Sequence, residues 1–139
     1  MTGETDLETL LREMSPELNE GEYVFCTLDV KDIPANLEPL GWFHEREGLT
    51  IILSKEQADR FNLIYSFICA WITLNIHSSL EAVGLTATIS QALTRAGISC
   101  NIVAAYYHDH LFVPMRDANR ALKILQNLPR LKKDEEEKK

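Results

Sequence analysis

With 139 residues, 45% hydrophobic and 25% charged, the chain has the size and balance of one compact domain, or of two small subdomains sharing a core. Its formal charge of −7 argues against nucleic acid and anionic membranes as partners, because both require a basic surface. Residues 1–6 are acidic and lack a basic and apolar leader pattern, and the longest apolar run, 67–74, is too short to span a bilayer, so a cytoplasmic protein is expected.

Leu7, Leu10, Leu11 and Met14 recur at helical spacing, with Thr5 or Asp6 as cap and Ser15-Pro16 as stop. Residues 22–29 are apolar on both faces, as in a covered strand. The stretch 32–39, with two prolines, reads as an irregular connection. A hairpin follows, 40–44 and 49–53, around a turn in which Gly48 is expected at positive φ. Ser54-Lys55-Glu56-Gln57 is a capping-box pattern opening a short helix to Phe61.

From residue 67 the pattern sharpens. Residues 67–76 form an apolar, β-branched run suited to a central strand, followed by a polar loop at 77–84. Leu85, Ile89, Ala92, Leu93 and Ala96 lie on one helical stripe, with Gly97 as the stop. A strand is expected over 98–107, a turn over 107–110, and a short strand over 111–113 closed by Pro114. Asp117 then caps a last helix, whose stripe Ala118, Ala121, Leu122, Leu125 and Leu128 ends at Pro129. Cys26, Cys69 and Cys100 are odd in number and without C-x-x-C spacing. Each sits in an apolar run, which fits reduced thiols. The tail 132–139 is a charge run with nothing to bury, expected to be disordered or a solvated helix extension. About six strands result, in an α+β layout of antiparallel sheet with helices on one face.

Three segments carry a family resemblance: His77-Ser78-Ser79-Leu80-Glu81-Ala82-Val83-Gly84-Leu85-Thr86-Ala87, Leu93-Thr94-Arg95-Ala96-Gly97-Ile98-Ser99, and Tyr106-Tyr107-His108-Asp109-His110 ahead of Leu111-Phe112-Val113-Pro114. Together with Met14-Ser15-Pro16-Glu17-Leu18 and Tyr23-Val24-Phe25-Cys26-Thr27, they resemble the stand-alone tandem ACT-domain proteins, with a second half similar to aspartokinase-type ACT domains. The resemblance implies a ferredoxin-like fold of βαββα units and a small-molecule ligand, an amino acid above all, held at a domain interface. It divides the chain into a degenerate first unit over 1–66, whose first helix is reduced to 33–37, a second unit over 67–131, and the tail.

Two segments are candidate sites. The loop 77–84 leads from a central strand into a helix, so the backbone N–H groups of Val83, Gly84 and Leu85 would favour a carboxylate. His77, Ser78 and Ser79 add polar groups, and Glu81 could take an ammonium. The bland alternative is a strand–helix loop whose serines satisfy local backbone. Tyr106, Tyr107, His108 and Asp109 would form the opposite wall, or simply a polar hairpin end. His77, His108 and His110 could supply three imidazoles, but no confirming ligand spacing exists, so neither metal nor cofactor is expected. Trp42 and Trp71 read by default as core or inter-domain packing; one of them could line a pocket between units, though nothing in the spacing says so.

Without a nucleophile elbow or paired carboxylates, a binding protein is expected rather than an enzyme. The expected function is an amino-acid-sensing regulatory module, homodimeric through sheet edges or helix faces. The alternatives are an interaction module without ligand and a small metal-dependent enzyme built on those histidines.

Overall fold

A computed structural model describes residues 6–75 and 83–128. Helix α1 (Leu7–Glu13) leads into β1 (Ser15–Leu18) and β2 (Tyr23–Leu28), then β3 (Gly41–His44), β4 (Leu49–Ser54) and α2 (Lys55–Arg60). Strand β5 (Ile68–Asn75), α3 (Leu85–Arg95), β6 (Asn101–Ala104), β7 (Asp109–Pro114) and α4 (Ala118–Gln126) complete the chain. The strands form one antiparallel sheet in the order β3-β4-β2-β5-β7-β6, with β1 also paired to β5.

The expected α+β build with helices on one face is what forms. Ala70, Ile72 and Leu74 of β5 and Leu111 and Val113 of β7 share a core with Leu10 and Leu11 of α1, Ile89 and Leu93 of α3, and Ala121 and Leu125 of α4. A second cluster joins Val24 and Cys26 of β2 to Leu49, Ile51 and Leu53 of β4 under Ala58 of α2. Val24 lies opposite Ile68 in the register, so the two clusters occupy the same face of the one sheet.

Among the described residues seven strands form, against the six or so expected. The addition is β1, in the stretch read only as a helix stop. Pro16 is tolerated because β1 pairs on one side only, with Ser15 opposite Asn75 and Leu18 opposite Ile72. β1 and β2 follow one another along β5. Leu18 faces Ile72 and Tyr23 faces Cys69, so residues 19–22 bulge out over two positions of β5, with Gly21 at φ +99.

Other boundaries shift for local reasons. No α-helix forms over 33–37; a single 3-10 turn at Val30–Asp32, capped by Asp29, takes its place. Gly48 takes the expected positive φ, at +158. β6 is shorter than expected because Ile98 turns into the helix-side core, where its N–H bonds Leu93 O at 2.9 Å to close α3 behind Gly97 at φ +73. β7 starts two residues early, drawing Asp109 and His110 out of the expected turn and into the ladder opposite Leu74 and Thr73. The Asp117 carboxylate does not cap α4. It pairs with Arg120 at 3.1 Å.

Candidate functional site

Two places on this scaffold gather chemistry. The first is the end of the sheet where β5 finishes, β7 begins and α3 starts. Helix α1 is capped by the Asp6 carboxylate accepting from Thr9 N, and α2 by the Ser54 hydroxyl accepting from Gln57 N. Helix α3 has Gly84 at its N-cap, which brings no side chain, and its first turn carries no acidic residue. Gly84 sits at φ +98, a left-handed conformation that glycine tolerates, and a Cβ there would come within 3.2 Å of Leu7 Cδ2. The first-turn donors of an eleven-residue helix are thus left without a cap from Gly84.

Of the expected site residues, Val83 is exposed, while Leu85 is buried in the helix-side core. Asp109, opposite Leu74, is 8% exposed, and burial pushes its carboxyl above the usual range, with His110 and His108 pulling the other way. Tyr106 and Tyr107 stack edge to face in the exposed β6–β7 turn, with ring centroids 4.9 Å apart. His77, Ser78, Ser79 and Glu81 lie outside the described residues. His108 and His110 have ring centroids 6.5 Å apart, and the described residues contain no group of three or more metal-ligating side chains.

The second place lies on the helix-free face. There the sheet is concave: Phe25 of β2 and Phe112 of β7 meet edge to face across the end of β5, with centroids 5.4 Å apart. A groove of about 200 Å³ results. Leu40, Gly41 and Ile52 form one bank, Val103, Ala105 and Phe112 the other, and Trp71 and His110 lie between them. His110 is the polar centre. Trp71 Nε1–H donates to its Nδ1 at 3.0 Å, and the Thr73 hydroxyl lies 3.1 Å from the same nitrogen. Asn19, in the β1–β2 bulge, donates to Thr73 Oγ1 at 2.9 Å, which leaves the Thr73 proton for His110. An indole N–H is a donor only, so Nδ1 must be an acceptor and the ring is neutral with its proton on Nε2. Burial and the neighbouring His108 lower the His110 pKa below 6.5 and favour the same state.

The sequence pattern allows a tryptophan to line a pocket, and Trp71 does so, but it sets His110 in a turn and so misses their pairing. Carrying the alternation of Leu111-Phe112-Val113 two residues back would have put His110 on one face with Phe112. The other tryptophan departs from its packing role, since Trp42 on edge strand β3 is 61% exposed.

The thiols show no activation. Burial pushes Cys69 up to about 12 and Cys100 to about 11, whereas a nucleophilic cysteine needs a lowered pKa. Iodoacetamide at neutral pH should therefore label Cys69 and Cys100 slowly in the native protein and fully after urea unfolding. Fast native labelling, read by intact mass, would contradict the burial.

Two ACT-domain family models match the chain, over residues 2–70 and 66–127. None of the curated proteins matches it. Among solved structures, a Vibrio cholerae protein of unknown function, described as a possible transport protein, is 47% identical, covering 88% of this chain and 95% of that one at a TM-score of 0.79. An Agrobacterium tumefaciens protein is 18% identical over 84% and 89% of the two chains, with a TM-score of 0.61. The regulatory subunit of Thermus flavus aspartate kinase is 12% identical over 82% and 96%, with a TM-score of 0.64. The last two likenesses show a shared fold; the two family models together run from residue 2 to residue 127, and the chain belongs to the ACT-domain proteins, as two ACT domains in tandem.

Proposed function

We propose that the chain is a regulatory, non-catalytic module of the cytoplasm that binds an amino acid or a related small carboxylate at the sheet end where α3 begins. One observation carries this reading: the N-terminus of α3 has a glycine where α1 and α2 have capping side chains. Backbone donors at such an end favour a carboxylate. The buried Asp109 at the start of β7 lies at the same end of the sheet, where an ammonium would offset its desolvation. Val83, Gly84 and Leu85 with His77, Ser78, Ser79 and Glu81 form one wall in this proposal, and Tyr106, Tyr107 and His108 the other. The aspartate kinase regulatory subunit supports the regulatory role by shared fold.

Among the described residues no helix is long and apolar enough to cross a membrane. A homodimer completes the proposal, with β3 as the joining edge, because Trp42 and Phe43 stand 61% and 71% exposed there. The same exposed pair favours the second reading, an interaction module without ligand. In that case, a pull-down that loses its partner with Trp42→Ala would coincide with silence in every ligand screen.

The test is a thermal-shift screen of the common amino acids at millimolar concentration. One of them should raise the melting temperature, by an amount corresponding to about 2.7 kcal/mol at a hundredfold excess over Kd. Ser79→Ala should weaken the shift and Gly84→Val should abolish it. Calorimetric titration of folded Gly84→Ala separates lost binding from lost stability. Silence from every amino acid would sink the proposal.

A further inference from the structure

The helix-free groove differs in chemistry from the end of α3. We propose that it is a second small-molecule site, which takes a neutral, apolar ligand bearing one hydrogen-bond acceptor. Three observations carry this.

The groove has a donor in a fixed state. Trp71 and Thr73 both direct protons at His110 Nδ1, so the ring presents Nε2–H. Among the described residues, the ring hydrogen bonds of His110 go to Nδ1. No buried side-chain nitrogen or oxygen among the described residues is left without a partner, so Nε2–H is open to solvent where His110 lines the groove. A pre-positioned donor in apolar surroundings suits an incoming carbonyl or ether oxygen.

The groove also lacks countercharge. Among the described residues its lining has no Lys, Arg, Asp or Glu, and His110, the titratable residue among them, is held neutral. A carboxylate there would lose its hydration for a single neutral donor, which is unfavourable. This separates the groove from a site for free amino acids.

Size sets the third limit. About 200 Å³ is below the roughly 300–1,000 Å³ of sites for drug-sized ligands, so the occupant is small. Leu40, Ile52, Val103 and Phe112 would cover its apolar part.

Gly41 provides a clean way to fill the groove. It lies opposite Ile52 in the register, a Cβ added there meets nothing within 4 Å, and its backbone is outside the left-handed region. Gly41→Leu should therefore occupy the groove without breaking the fold. The probes are isobutyramide and isobutyrate, which share a shape and differ in charge. Nitrogen–proton spectra of the full chain at pH 7.5 report on the Trp71 indole N–H, and methyl spectra on Ile52 and Val103.

Isobutyramide should shift these signals saturably, and isobutyrate should bind at least about tenfold more weakly, a difference of about 1.4 kcal/mol. Gly41→Leu should lose the amide response while keeping the wild-type melting profile. Gly84→Ala should keep the amide response, so failure here and failure at the α3 end are told apart. Equal binding of the anion, amide binding that survives Gly41→Leu, or no saturable shift at the solubility limit would each overturn the proposal.

Discussion

Leu10→Ala is expected to destabilise the protein by about 3 kcal/mol, with the damage concentrated in the second half of the chain. Truncating a fully buried leucine removes its transfer free energy and leaves a cavity, typically about 2–5 kcal/mol. Leu10 is wholly inaccessible, and its cluster is Ile72 and Leu74 of β5, Ile89 and Leu93 of α3, and Leu125 of α4. The adjoining β1 is the fourth strand of that half, bonded along β5 from Ser15–Asn75 to Leu18–Ile72. Helix α1 and β1 thus open the chain yet complete the core of its later part. Urea unfolding followed by amide exchange is the check. Leu10→Ala should speed exchange in β5, β7 and α3 more than in β3 and β4, whereas Val24→Ala should do the reverse. Equal acceleration everywhere would mean that the two clusters respond as a single unit.

What could be read in advance followed from how local each signal is. Helix α3 is legible through its stripe and Gly97, and β5 through a largely apolar run interrupted by Thr73, with apolar residues on both faces. Strand β1 was invisible: Ser15-Pro16-Glu17-Leu18 has neither a long apolar pattern nor strong strand propensity. What makes it a strand is a partner about sixty residues away, from Ser15↔Asn75 to Leu18↔Ile72. The candidate site divides the same way. Gly84 at a helix start is a local signal, and its left-handed backbone followed. The Trp71–His110–Thr73–Asn19 chain depends on cross-strand register and on a bulge, neither of which a single segment encodes. Trp42 departs from packing because β3 is an edge strand, with no sheet neighbour beyond it among the described residues.

That polar chain is also expected to contribute to the response to acid, and His110→Leu is expected to cost about 2 kcal/mol at neutral pH. Leucine offers no acceptor, so the Trp71 indole N–H and the Thr73 hydroxyl, which is 7% exposed, lose their partner, and an unsatisfied buried donor typically costs about 1–3 kcal/mol. His110→Gln keeps an acceptor and should recover part of the loss. The sign of the pH dependence follows from the His110 pKa, which burial holds below the ordinary imidazole value of 6.5. The unfolded state binds the proton more readily, so the stability is fully present above about pH 6.5 and is lost as pH falls through the folded value. Protonation would set an Nδ1–H against the Trp71 N–H. His108 and Asp109 are the titratable neighbours on its own hairpin; Trp71, Thr73 and Asn19 on the packed strands carry no charge. Asp109 acts oppositely. With its pKa raised from 3.8, its contribution is present below that value and lost as pH rises through the raised one. The comparison therefore belongs in an Asp109→Asn background, with urea midpoints taken between pH 7.5 and 5. There the chain with His110 should weaken on acidification, and both His110→Leu and His110→Gln should show a flatter profile. A slope unchanged by both substitutions would assign the acid response to another group and remove His110 from the centre of the groove's chemistry.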